Sequence, residues 1–134
     1  MKEITPGLRF TVEATVGEGD TALALGSGTL PVLATPRMAA LMEEAAWRSV
    51  APYLEEGESS VGTALHLKHV SATPVGMKLR VESELTGVDG RRLTFAVKAF
   101  DEAGPIGEAT HERVVIKEAR FMEKAEGKRS LNAV

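Results

Sequence analysis

Apolar and polar residues alternate along most of this chain, and the one long interruption of that alternation repeats with a helical period. Leu8, Phe10, Val12, Ala14 and Val16 face one way, against Arg9, Thr11, Glu13 and Thr15, which predicts a half-buried strand over Leu8 to Val16. Gly17-Glu18-Gly19-Asp20 is a turn, Thr21 to Leu25 reads as a short returning strand, and Gly26-Ser27-Gly28-Thr29 as a flexible spacer. Leu30 to Leu33 leads into a helix from about Pro36 to Val50. There Met38, Ala39, Met42, Ala45, Ala46 and Val50 fall on one arc, while Arg37, Glu44 and Arg48 mark the wet face. Thr35 reads as the N-cap, its hydroxyl accepting from a first-turn amide, with Pro36 at the first helical position. Pro52 and then Glu55-Glu56-Gly57 end the helix.

Period-two patterning then resumes. Ser60 to Val70 carries Val61, Thr63, Leu65, Leu67 and His69 on its apolar face and Gly62, Ala64, His66 and Lys68 on the other. Met77 to Val88 alternates as well, with Met77, Leu79, Val81, Ser83 and Leu85 inward, and Asp89-Gly90 is a two-residue hairpin turn. Leu93, Phe95, Val97 and Ala99 form the inner row of the returning strand. After Ala103-Gly104-Pro105, a last strand runs from Ile106 to Lys117 with Val114-Val115-Ile116 at its centre. From about residue 118 to 134 the chain turns polar and charged, which predicts a frayed tail.

The order is strand, helix, then four strands joined largely by hairpins, an α+β arrangement without repeats or linkers, so residues 1–134 read as a single domain. One helix cannot cover both faces of a five- or six-stranded sheet, and the economical solution is a curved antiparallel sheet wrapped around it. Such a sheet keeps an open edge, and pairing with a second copy removes it, so a homodimer is expected. Composition changes little in this picture. With 134 residues, 43% hydrophobic, 26% charged and a net charge of -3, the chain has the balance of an ordinary globular protein and no general affinity for nucleic acid. It has no cysteine, which excludes disulfides and thiolate chemistry. No apolar run approaches the ~20 residues of a membrane span, and the N-terminus lacks the apolar core of a signal peptide, so a cytoplasmic location is the default.

Few residues look chemical. Glu43 lies at the edge of the apolar arc with Ala39, Ala40, Ala46 and Trp47 as its helical neighbours, none able to pair with it, whereas Glu44 has Arg48 one turn on. A carboxylate without a helical partner, leaning toward an apolar face, is a candidate for chemistry; the plainer alternative is pairing with a basic residue from a strand. His66 and His69 point to opposite faces, which argues against a shared metal. His69 combines an apolar face with a strand end; from the residues alone, a core histidine bonded to a backbone carbonyl is the simpler reading. Arg113 reads as an exterior residue balancing Glu112 or Glu108, and Gly62 as a bulge or a place of close approach. No phosphate loop, dinucleotide fingerprint, HExxH or GxSxG is present, and no cofactor or metal is expected.

Taken together, Ala34-Thr35, Met42-Glu43, Ala51-Pro52-Tyr53-Leu54-Glu55, Gly57-Glu58, Val61-Gly62-Thr63, His69, Ala72-Thr73-Pro74, Asp89-Gly90-Arg91-Arg92-Leu93 and Thr110-His111-Glu112-Arg113 resemble, in order and spacing, the fluoroacetyl-CoA thioesterase-like branch of the hot-dog fold. The resemblance covers most of the chain after about residue 30. It implies a sheet wrapped around a central helix, dimerisation or a higher assembly, and hydrolysis of an acyl-CoA thioester. It also implies a catalytic set of Thr35, Glu43 and His69, with Gly62 and Arg113 lining the acyl-CoA site. Fluoroacyl-selective members carry phenylalanines just before the helix. Here that segment is Gly26-Ser27-Gly28-Thr29-Leu30, so the expected substrate is a small or medium acyl-CoA. Glu43 in apolar surroundings would act as base or nucleophile. A non-catalytic acyl-CoA-binding module is the alternative, and an enoyl-CoA hydratase would need an Asp/His pair that this helix lacks.

Overall fold

Period-two patterning builds five antiparallel strands in the computed structural model, which describes residues 1–131. The strands are β1 (Arg9–Thr15), β2 (Glu58–His69), β3 (Lys78–Asp89), β4 (Arg92–Asp101) and β5 (Gly104–Lys117), in the spatial order β1-β3-β4-β5-β2. Between β1 and β2 lie α1 (Ala22–Leu25) and the long α2 (Thr35–Val50); α3 (Glu118–Leu131) follows β5. The inner rows are those the alternation marks: Leu79, Val81 and Leu85 on β3, and Leu93, Phe95, Val97 and Ala99 on β4, all at most 4% exposed. Against them α2 buries Met38, Leu41, Met42, Ala45, Ala46 and Val50. Leu41 extends the predicted arc, and Ala39 lies at its half-buried edge.

The helix is not centred on the sheet. It packs chiefly on β3, β1 and β4 and less on β2 and β5. Buried Ser83 of β3 donates its hydroxyl to the Ala45 carbonyl of α2 at 2.9 Å, fixing helix against sheet. The less covered side of the sheet is therefore free to carry polar groups, and it does. The inner row of β5 is Ala109, His111, Arg113 and Val115, all buried, while Val114 and Ile116 lie on the other face. The exterior reading of Arg113 is thus overturned: the strand's phase puts it inside, 6% exposed.

Four local expectations also change. Thr21 to Leu25 is not a strand; Thr21 makes one bridge to Leu33 and caps the short α1, accepting from the Ala24 amide at 3.1 Å. The β3–β4 turn is Gly90-Arg91, one residue later than predicted, with Asp89 paired to Arg92. Only Gly90 has positive φ (60°), which fits a turn with that requirement at its first central residue. Thr35 is the first residue of α2 and not its cap; Ala34 holds the cap position and no side chain caps the helix. Finally, the predicted tail is helical from Glu118 to Leu131, with Phe121 and Met122 exposed and a Glu126–Arg129 pair at 2.6 Å. Good helix formers and local pairs suffice there without burial. Residues 132–134 of that tail lie outside the described residues.

Candidate active site

Two groups of polar side chains sit along α2. The first is at its head. Because Ala34 cannot cap, the first-turn amides keep no side-chain partner, and the hydroxyl of Thr35 is free for another role. It shares a hydrogen bond of 2.8 Å with Nδ1 of His69, the last residue of β2. His69 Nε2 is buried and makes no hydrogen bond among the described residues. Burial holds the ring below its ordinary value of 6.5; the backbone at Ser71 is near enough to oppose this in part. A buried ring nitrogen without a partner costs stability, so it marks either a defect or a functional group. An open pocket of about 280 Å³ lies here, its wall formed by Thr35, His69, Val32, Leu33 and Ala72.

The second group surrounds Glu43, two turns further along α2. Its partner comes from another strand: Arg113 Nη1 lies 3.5 Å from Glu43 Oε2. The carboxylate side chain is 43% exposed and the guanidinium 7%. The expectation of a carboxylate among apolar groups therefore fails, because a buried cation sits beside it. Arg113 is itself held on three sides. Nε donates to Ser60 Oγ at 2.8 Å, Nη2 to the Ser60 carbonyl at 2.9 Å, and Nη1 approaches His111 Nε2 at 3.1 Å. Burial pushes the arginine down from its ordinary value, and the charge and hydrogen bond of Glu43 oppose that.

Gly62 completes this group. The β2–β5 register shifts between Gly62 and Ala64, a bulge that leaves Thr63 without a cross-strand partner. A Cβ on Gly62 would fall 2.6 Å from Glu43 Oε2 and 3.1 Å from the His111 ring. Both readings of this glycine hold, since it lies at a bulge and a side chain closes on its backbone. Sequence reasoning does not single out His111, whose neighbours Glu112 and Arg113 are charged. The signal that could have found it is the phase of β5, in which His111 and Arg113 share a face with Ala109 and Val115.

The structure thus brings Thr35 to His69, and Glu43 to Gly62 and Arg113. It does not join the two groups within one chain. Thr35 and Glu43 are eight residues apart, about 12 Å along the helix axis. A carboxylate thus stands at one place along α2, and an uncapped helix head with a histidine at the other.

A curved five-stranded antiparallel sheet around a long helix is the hot-dog fold. Residues 16–119 match the family of fluoroacetyl-CoA-specific thioesterases. The chain is 48% identical over 97 residues to fluoroacetyl-CoA thioesterase of Streptantibioticus cattleyicolor, covering 72% of this chain and 70% of that protein. A solved structure of fluoroacetyl-CoA thioesterase superposes with a TM-score of 0.90 at 41% identity, covering 95% of this chain and 98% of that one. A Thermus thermophilus protein described as a thioesterase superfamily member superposes with a TM-score of 0.90 at 29% identity over 100% of both chains. The chain belongs to the fluoroacetyl-CoA-specific thioesterase family, and it is an acyl-CoA thioester hydrolase.

Proposed function

We propose that the enzyme hydrolyses small acyl-CoA thioesters at sites shared by two protomers, with Thr35 and His69 from one chain and Glu43, Gly62 and Arg113 from the other. The observation that carries this reading is the gap of two helical turns between the groups, which no single thioester carbonyl spans. The 12-residue strand β2 ends the sheet beside both groups, and its outer edge, without a partner strand among the described residues, supports assembly there.

In this reading the thioester oxygen lies at the uncapped head of α2, where first-turn amides and the helix dipole stabilise developing negative charge. The Glu43 carboxylate takes a proton from the attacking water as the C–O bond forms. The C–S bond then breaks and the thiolate leaves, taking up the proton that Glu43 removed from the water if it does not depart as the anion. Burial keeps His69 neutral and Thr35 fixes its ring, which suits it to orienting the thioester rather than to supplying a proton. The pocket before α2 has no aromatic wall: Ala22, Val32, Leu33 and Ala72 line it, and Leu30 is 63% exposed. This favours small acyl groups without a particular preference for a fluorinated one.

A complementation experiment tests the shared site. Glu43→Gln and His69→Ala proteins, each inactive alone, are mixed after reversible dissociation and assayed for release of free thiol. Shared sites restore activity, because each hybrid dimer carries one intact site. No recovery from hybrids shown to have formed would place the whole site in one chain. The same assay over fluoroacetyl-, acetyl-, butyryl- and hexanoyl-CoA reads the acyl preference, with activity expected to be highest on the short chains.

A further inference from the structure

Arg113 and Glu43 form an uneven contact. At 3.5 Å their contact is longer than the usual ~2.7–3.2 Å of an N–H···O hydrogen bond, although Arg113 is buried. The guanidinium does not close on the carboxylate because it is held elsewhere. Ser60 fixes two of its nitrogens, and His111 takes the third at a shorter distance, 3.1 Å. The histidine can do so in only one state. Its Nδ1 lies 2.8 Å from the Ala64 carbonyl, which can only accept, so Nδ1 carries the proton. Arginine can only donate, so Nε2 must offer its lone pair. The bulge at Gly62 puts the Ala64 carbonyl within reach, and Phe95, its centroid 6.1 Å away, walls the ring on the β4 side.

We propose that His111 is a positioning residue, whose Nε2 lone pair restrains Arg113 so that Glu43 receives one loose hydrogen bond and keeps its remaining lone pairs for water. Without that restraint Nη1 would close on the carboxylate in a shorter charge-assisted bond and engage the atoms the reaction needs. The inference rests on Glu43 being the base. The charged groups bearing on the ring are Arg113 of its own strand and Glu43 of α2; β2 presents the Ala64 carbonyl and β4 the Phe95 ring, neither of which titrates. Burial above all, and then the Arg113 charge, keep the ring neutral below the usual histidine range, against the Ala64 bond and Glu43. When it does charge, the lone pair is lost and Nη1 of Arg113 is freed, while Ser60 still holds Nε and Nη2.

The test compares His111→Phe and His111→Gln in the full-length enzyme. Phenylalanine fills the space without an acceptor, and glutamine supplies a carbonyl for the same N–H. His111→Phe should lower kcat roughly tenfold to a hundredfold, the usual effect of removing outer partners in metal sites. KM should change less than kcat, since the loss falls on the base. His111→Gln should recover most of kcat and hold it to lower pH than the wild type, because its acceptor never charges. Nitrogen NMR of the wild-type protein gives a reading without turnover or variants: His111 protonated at Nδ1 and bare at Nε2 across the active pH range. Full kcat in His111→Phe while Glu43→Gln is inactive would overturn the role of His111 alone, as would the opposite tautomer. Full activity in Glu43→Gln would instead overturn the proposed base. Should His111→Phe not fold, the pH profile of His111→Gln and the NMR reading decide.

Discussion

The two ends of the proposed site are built on opposite plans. At the head of α2, one hydrogen bond joins Thr35 to His69, one ring nitrogen is unpaired, and the helix has no cap. Around Glu43, a buried arginine is held by two groups on Ser60 and by His111, and Gly62 leaves room for the carboxylate. The first end has donors waiting for a partner. The second has its partners already in place, apart from the carboxylate itself, 43% exposed. The contrast separates two tasks. In the proposed mechanism, groups that would meet the substrate's changing charge are left unsatisfied, whereas the group that would act on water is aimed before the substrate arrives.

This contrast can be broken at several points. Glu43→Gln should have the largest effect, lowering kcat by about 10²–10⁴-fold with folding intact, since it removes a positioned base; near wild-type thiol release would end the assignment. Turnover in ¹⁸O-labelled water sharpens it further: label in Glu43 marks direct attack on the thioester followed by opening of the anhydride at the glutamyl carbonyl, whereas a base leaves Glu43 unlabelled. His69→Ala should fall in the same range, and Thr35→Ala less, by roughly tenfold, because the hydroxyl only orients the ring. Gly62→Ala tests the preset end. Its Cβ must displace the carboxylate, so activity should drop about 10²-fold, as for a misplacement of ~1 Å, while the melting temperature barely moves. An unaffected Gly62→Ala enzyme would mean that the carboxylate position is not critical.

The smallest effect concerns stability away from the site. Glu58 accepts from the Met1 amino group at 2.7 Å, from the Glu55 amide at 2.9 Å and from Arg91 at 3.2 Å. Chiefly through the amino group, these lower its pKa from 4.5 to about 2. A carboxylate whose folded value lies below its unfolded one contributes fully above about 4.5, and that contribution disappears as pH falls toward 2. Urea unfolding across that window should therefore show an acid-induced loss that is smaller in Glu58→Gln. Equal slopes for both proteins would refute this.

The fold was largely legible because one rule sufficed for it: alternation on β1, β3 and β4 marks the inner rows, and a single helical arc marks α2. The site was legible only in part, because its residues break that rule. Arg113 and His111 occupy core positions with polar groups, so patterning assigns β5 the wrong emphasis, at the apolar run Val114-Val115-Ile116. Thr35 before a proline looks like any cap, and only the partner on a distant strand shows that its hydroxyl is used elsewhere. Glu43 stood out from its neighbours on the helix alone, since an acid without a local partner is a local property. Its cation, seventy residues away, is not.

The bond from Ser83 to the Ala45 carbonyl has a consequence for how such an enzyme can change. A helix held only by aliphatic packing could settle at slightly different heights, and a shift of one residue would move every side chain by about 1.5 Å and turn it by about 100°. The serine makes the sheet a ruler against which the helix is set, two residues beyond the carboxylate. Mutations on the outer surface of α2 can then accumulate without disturbing the catalytic distances. Conversely, a change at this one buried hydroxyl, touching neither substrate nor catalytic group, offers a single-step route to retuning them.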